Sequence, residues 1–146
     1  MKKIFGAALL LISISLQVPA QAQSVFAPTI TFDGGNTIWG IENRTSLSDR
    51  MSLRSFVSFA NSSSSASTRY GTSLNYNFDL GDEEKKFSPF LGIGYTTSSG
   101  LSNSATGFAQ AGVDMYFENL LLTGSVAMPF SGGSSMNTSF GLGFKF

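Results

Sequence analysis

Thr138-Ser139-Phe140-Gly141-Leu142-Gly143-Phe144-Lys145-Phe146, the last stretch of the chain, alternates strictly between two kinds of side chain. Successive residues of a β-strand point to opposite faces of the sheet. One face of this stretch therefore carries a threonine, a leucine and three phenylalanines, while the other carries only glycines, a serine and a lysine. We predict that this strand closes a transmembrane β-barrel, with its aromatic side chains against lipid.

The same alternation recurs upstream in seven further segments that are separated by turn residues. Asp33-Gly34-Gly35-Asn36 and Glu118-Asn119 are signals for tight turns, and the serine-rich run from Asn61 to Thr68 is predicted to be an exposed loop. Such segments suit tilted strands, which need about 9–11 residues to cross a bilayer. The prediction is an all-β fold, an eight-stranded antiparallel up-and-down transmembrane β-barrel with short loops. Its strands are predicted over residues 26–32, 37–44, 51–59, 69–80, 87–96, 107–117, 120–130 and 138–146.

Composition indicates which face of this barrel is outside. Charged residues make up 12% of the chain, whereas a soluble surface carries about 25–35%. Every charge within a predicted strand falls on the polar face, and most aromatic residues fall on the apolar face. When the predicted strands are placed across a bilayer, the aromatic residues form two girdles, one at each membrane surface, around an aliphatic band. This arrangement is typical of outer-membrane barrels. The apolar face is therefore predicted to contact lipid.

The beginning of the chain has the features of an export signal. Lys2 and Lys3 precede an apolar run from Ile4 to Leu16, and Ala20-Gln21-Ala22 fits the small-residue rule for cleavage. The predicted organisation is a signal peptide at 1–22 and an outer-membrane β-barrel at 23–146. The predicted location is the outer membrane of the cell.

The residue types that the sequence lacks exclude several kinds of chemistry. The chain has no His and no Cys, which excludes His-assisted serine catalysis, thiol catalysis and His/Cys metal sites. Removal of Lys2 and Lys3 leaves seven basic and nine acidic residues, a balance that argues against a nucleic-acid partner. We expect no catalytic residue, no cofactor and no metal, and therefore no enzyme.

Three stretches resemble the small eight-stranded outer-membrane barrel superfamily, which includes the OmpA transmembrane domain and OmpX-like proteins. They are Phe87 to Tyr95, Gly112 to Tyr116 and Phe140 to Phe146. Members of the superfamily serve as envelope anchors, adhesion or host-surface proteins, small or gated pores, and occasionally lipid-modifying enzymes. The resemblance implies outer-membrane lipid and the barrel-assembly machinery as partners. It also implies an assembly signal in the final strand, formed by Phe140, Leu142, Phe144 and Phe146.

The candidate functional residues are charged side chains of the polar face. Three acids and three bases are predicted to lie together in the inner half of the lumen. Their ion pairs would plug the barrel, and the sharper alternative is a narrow or switchable ion path. The predicted cluster consists of Glu42, Arg44, Arg54, Asp79, Asp114 and Lys145.

One pair within this cluster has a predicted register. If the turn from Ser46 to Arg50 is centred on Ser48, Glu42 lies directly opposite Arg54 and Trp39 lies opposite Val57. We therefore expect a monomeric, plugged barrel with a structural or surface-interaction role. The alternative function is a small pore or a hydrophobic-solute channel.

Overall fold

The computed structural model describes residues 24–62, 65–78, 86–99, 105–131 and 136–145 of the chain. These residues form eight strands, each antiparallel to the next, and the last strand pairs with the first to close a barrel. The predicted fold is confirmed, whereas the predicted signal peptide lies outside the described residues and stays a prediction. The strands are β1 (Ser24–Asp33), β2 (Asn36–Ser46), β3 (Met51–Ser62), β4 (Ser65–Asn77), β5 (Lys86–Ser99), β6 (Ala105–Phe117), β7 (Leu120–Pro129) and β8 (Asn137–Lys145). Among the described residues, no helix has the length and hydrophobicity that a membrane-crossing helix needs.

The barrel wall is apolar outside and polar inside, as the alternation predicts. Trp39, Ile93 and Phe130 on the outer face are 62%, 65% and 66% exposed. On the inner face, the polar residues Ser52 and Asn75 are completely buried. Apolar surface left in water costs about 25 cal/mol per Å². An outer wall of this composition therefore suits a lipid environment and not an aqueous one.

Two of the turns predicted from the sequence connect the strands of tight β-hairpins. β1 and β2 remain paired up to Asp33 and Asn36, and the residues between them, Gly34 and Gly35, have φ angles of 55° and 89°. Positive φ at both central residues is the geometry of a type I′ turn, which glycine adopts without steric cost. β6 and β7 are likewise joined by two residues, Glu118-Asn119. These short turns fix the registers of their hairpins.

The predicted serine-rich loop from Asn61 to Thr68 is wrong over most of its length. β3 continues to Ser62 and β4 begins at Ser65, and these two residues are cross-strand partners. A serine run indicates a loop only when its backbone has no partner, and here the two halves of the run lie opposite each other. Their backbone groups therefore form ladder hydrogen bonds, and the β3–β4 hairpin extends beyond the predicted strand ends.

The predicted register between β2 and β3 is also wrong. Arg44, not Glu42, lies opposite Arg54, and Trp39 lies opposite Phe59 instead of Val57. The reason is the turn: the backbone N–H groups of Leu47 and Ser48 both donate to the carbonyl of Met51, and β2 continues to Ser46. The pairing is displaced by two residues. Because side chains alternate with a period of two, every residue keeps its predicted face.

Candidate functional site in the lumen

Four of the six predicted lumen charges meet inside the barrel, and we call them the plug: Glu42, Arg44, Arg54 and Asp114. Nη2 of Arg54 lies 2.7 Å from Oδ2 of Asp114, and Nη1 of Arg54 lies 3.1 Å from Oε1 of Glu42. Nη1 of Arg44 also bonds Oδ2 of Asp114. Asp79 and the side chain of Lys145 lie outside the described residues. The structure thus brings four members of the predicted cluster together, and Glu42 pairs with Arg54 diagonally instead of directly across the ladder.

The strand register explains why Asp114 is central to the plug. Arg44 and Arg54 are direct cross-strand partners on β2 and β3, an arrangement in which like charges repel each other. Asp114 reaches them from β6, which lies across the lumen, and it is completely buried. Its carboxylate bonds both guanidinium groups and so offsets their repulsion. With Glu42 included, the formal charges of the plug cancel.

Neutral polar groups accept further hydrogen bonds from the two arginines, although the Nε atoms of both are buried without a partner among the described residues. Nη2 of Arg44 donates to Oδ1 of Asn77 over 3.1 Å, and Nη1 of Arg54 donates to the hydroxyl of Thr123 over 3.3 Å. Asn77 in turn donates to Ser52 over 3.2 Å. These residues were not part of the predicted cluster, although each lies on the same inward face of its strand as the charged residues. Side chains from β2, β3, β4, β6 and β7 therefore converge at this level of the lumen.

Aromatic rings pack against the two arginines of the plug. The guanidinium carbon of Arg54 lies 3.7 Å from the centre of the Phe90 ring, and that of Arg44 lies 5.5 Å from the centre of the Tyr116 ring. Stacking of this kind stabilises a desolvated cation. Phe90 is only 1% exposed. The rings and the ion pairs therefore pack against one another at this level of the lumen.

Glycine provides the room for the inward aromatic rings. A Cβ atom added to Gly94 would lie 2.7 Å from the ring of Phe108, and one added to Gly112 would collide with the ring of Phe90. The sequence signal for this packing was the set of glycines on the polar face. Each inward phenylalanine is the direct cross-strand partner of a glycine: Phe56 of Gly71, Phe90 of Gly112 and Phe108 of Gly94.

Above the plug the lumen contains a cavity of about 400 Å³, which we call the cup. It extends from Glu42 to the barrel end where β1 turns into β2. At its mouth Nη1 of Arg69 donates to Oδ2 of Asp33 over 2.6 Å, and this ion pair joins β4 to β1. In the sequence, Asp33 belongs to the turn signal Asp33-Gly34-Gly35-Asn36, and this pair with Arg69 was not predicted. The cup is lined by Thr29, Thr31, Asp33, Ile38, Glu42, Phe56, Ser58, Arg69, Thr96, Ser98, Thr106, Phe108, Gln110, Ser125, Ala127, Pro129, Asn137 and Ser139.

Comparison with known proteins identifies the fold class. No protein-family model matches the sequence, and no curated protein matches it either. Among solved structures, the chain is similar to the outer membrane protein Ail of Yersinia pestis in a phospholipid nanodisc, with 11% identity and a TM-score of 0.59 over 86% of this chain and 100% of that one. It is also similar to the outer membrane enzyme PagL, with 15% identity and a TM-score of 0.55 over 84% of this chain and 98% of that one. Neisserial surface protein A shares 13% identity and a TM-score of 0.51 over 85% of this chain and 94% of that one.

These likenesses show that the chain has the fold of the small eight-stranded outer-membrane β-barrels. The predicted resemblance is confirmed at the level of the fold. A surface protein and an enzyme share this architecture, so the fold does not select a role. The role has to be argued from the lumen of this chain.

Proposed function

We propose that this protein is a monomeric outer-membrane barrel whose lumen is closed by the plug and whose role is structural or surface-interacting. The observation that carries the proposal is the complete burial of Asp114 between Arg44 and Arg54. An ion path needs charged groups that contact water along its length. Here the charged groups contact one another, and the ring of Phe90 covers Arg54.

The outer face supports a location in a membrane. Trp39 and Phe59 are direct cross-strand partners on β2 and β3, and they are 62% and 40% exposed. Phe26 and Phe144 form a second exposed pair, on β1 and β8, at the opposite end of the barrel. Aromatic side chains at both rims are the interfacial anchors of outer-membrane barrels. Because β8 pairs with β1, the barrel has no open strand edge through which copies would associate, which supports the monomer.

Single-channel recording of the refolded protein in planar bilayers tests the plug directly. Wild-type protein should give no steady current. A variant with Arg44→Ser, Arg54→Ser and Asp114→Ser should give discrete current steps, because water would replace the ion pairs. The matched control is Asp33→Ser with Arg69→Ser, which removes a pair at the mouth of the cup and should leave the bilayer silent. Steady current through the wild-type barrel would favour the small-pore alternative.

A lipid-active enzyme is the third class of function, and we propose that this protein is not one. The proposal rests on the absence of His and Cys from the sequence, since His and Cys supply the usual general base and thiol nucleophile. Mass analysis of lipid A and phospholipids from cells with and without the gene tests it. Identical lipid profiles are expected, and a modified lipid species that depends on the gene would contradict the proposal.

A further inference from the structure

The cup holds hydrogen-bonding groups that the barrel itself does not use. Thr29 and Ser58 line it and are each only 8% exposed. Within the described part of the chain, neither hydroxyl makes a side-chain hydrogen bond, and both residues open onto the cup. Oδ1 of Asn137, another lining residue, is fully buried without a partner in that part of the chain. Buried polar groups are nearly always hydrogen-bonded to protein, water or ligand. These three groups come from β1, β3 and β8 and therefore converge on the cup from adjoining parts of its wall.

The charges that line the cup are already compensated. The carboxylate of Asp33 accepts from Arg69 at the mouth, and that of Glu42 accepts from Arg54 at the floor. A charged ligand would have to displace one of these partners. Of the fifteen other lining residues, ten carry a hydroxyl or amide group and five are apolar, a mixture that suits a ligand with both hydroxyl groups and an apolar face. The chemistry of the wall therefore selects a neutral molecule that is rich in hydroxyl groups.

An apolar patch near the floor of the cup provides a packing surface for such a molecule. The rings of Phe56 and Phe108 lie 6.3 Å apart between centroids with an interplanar angle of 56°. Both rings line the cup, and a sugar ring has a C–H face that packs against such a surface. Ligand pockets measure about 300–1,000 Å³, so a cavity of about 400 Å³ suits a molecule the size of a monosaccharide or disaccharide.

We propose that the cup is a binding site for a neutral saccharide, with Thr29 and Ser58 as hydrogen-bonding groups and Phe56 and Phe108 as the packing surface. The proposal rests on the proposed function, since the plug forms the floor that makes the cup blind-ended. It deepens that function by assigning the surface interaction to carbohydrate. The same chemistry is offered by a free sugar and by the end of a glycan chain.

Calorimetry and saturation-transfer NMR on the refolded full barrel test the site. The detergent should have a zwitterionic head group, because glucoside and maltoside head groups are themselves neutral saccharides. The probes are glucose, galactose, N-acetylglucosamine and maltose as free sugars, and dextran as a source of glycan ends. Binding of at least one probe at millimolar concentration is expected. Binding of dextran as well as its free sugar would assign the site to glycan ends, and binding of free sugars alone would assign it to small solutes.

Matched variants place the binding in the cup. Thr29→Val and Ser58→Ala each remove one hydroxyl, and each should weaken binding about three- to tenfold, the effect of one neutral hydrogen bond. Ser58→Phe should abolish binding by filling the cavity. The control is Thr37→Val, which removes an exposed hydroxyl on β2 opposite Phe32 and should leave binding unchanged.

Two results would overturn the inference. One is that no probe binds at millimolar concentration, and the other is that a probe binds with the same affinity to wild-type protein and to Ser58→Phe. Either result would leave a water-filled cup. These results are distinguishable from a failure of the proposed function. If the plug does not close the lumen, the bilayer recording shows a steady current, whereas the sugar-binding measurements test only the cup.

Discussion

Replacement of Asp114 by Asn is the sharpest test of how the plug is held together. Asp114 is completely buried and bonds two guanidinium groups whose side chains are 6% and 3% exposed. The amide keeps the shape of the side chain but removes its charge. Arg44 and Arg54 would then lie opposite each other on β2 and β3 with only Glu42 as a counter-charge. Removing one partner of a buried ion pair costs about 3–5 kcal/mol. We expect about 3 kcal/mol, the lower end of that range, because the amide oxygen can still accept a hydrogen bond.

The assay is urea unfolding of the refolded barrel in detergent, followed by far-ultraviolet circular dichroism. The matched control is Asp33→Asn, which neutralises the carboxylate of the inward ion pair at the mouth of the cup. In that pair the side chains of Arg69 and Asp33 are 34% and 19% exposed. Water already screens their interaction, so the control should cost at most about 1 kcal/mol.

A second variant separates lost charge balance from lost packing. Adding Arg44→Gln to Asp114→Asn removes the unbalanced cation and leaves Arg54 paired with Glu42. The double variant should therefore be more stable than Asp114→Asn alone. The account of the plug would be refuted if Asp114→Asn changed the free energy of unfolding by less than about 0.5 kcal/mol, the usual effect of a neutral surface substitution. It would also be refuted if Asp33→Asn cost as much as Asp114→Asn.

Three further predictions concern the plug, the lipid face and assembly. Glu42→Gln should lower the urea midpoint less than Asp114→Asn does, because Arg54 remains paired with Asp114. The destabilisation by Glu42→Gln and that by Arg54→Gln should not be additive in the double variant. Strict additivity would place Glu42 and Arg54 in separate environments. Val126→Arg, on the outer face of β7, should cost about 2–4 kcal/mol in lipid, and an unchanged free energy of unfolding in bilayers would show that this face does not meet lipid. Deletion of Phe146 should lower the amount of barrel assembled in cells while refolding in detergent stays normal, and normal assembly in cells would contradict its role in the assembly signal.

The alternation of side chains was enough to predict the fold and the face of the strand on which each charged residue lies. Arg44, Arg54 and Asp114 were predicted to point inward because each lies on the polar face of its strand. In the structure all three are buried inside the barrel. Alternation has a period of two, so it determines the face on which a residue lies. It does not determine the register between neighbouring strands, which can shift by two residues without changing any face. The error in the β2–β3 register is of this kind. The turn from Leu47 to Arg50 contains no glycine or proline, so its composition did not fix the pairing.

The cup and the pair at its mouth could not be predicted for a related reason. Asp33 and Arg69 lie on β1 and β4, and they meet only because closure of the barrel brings strands that are distant in the sequence to face each other across the lumen. The pairing of phenylalanine with glycine was partly visible, since both residue types occur on the polar face. Which glycine lies opposite Phe90 depends on the register between β5 and β6, and the sequence does not specify that register.

The most direct test of the central claim, that the apolar outer wall faces lipid, uses the single tryptophan of the chain. Trp39 is 62% exposed on the outer face of β2 and lies beside Phe59. Its fluorescence should be measured in the protein reconstituted into liposomes, with brominated lipids and with iodide in water as alternative quenchers. The account predicts strong quenching by lipids brominated near the head group and little quenching by iodide. Strong quenching by iodide with none by brominated lipid would show that the outer wall faces water, and would contradict the account.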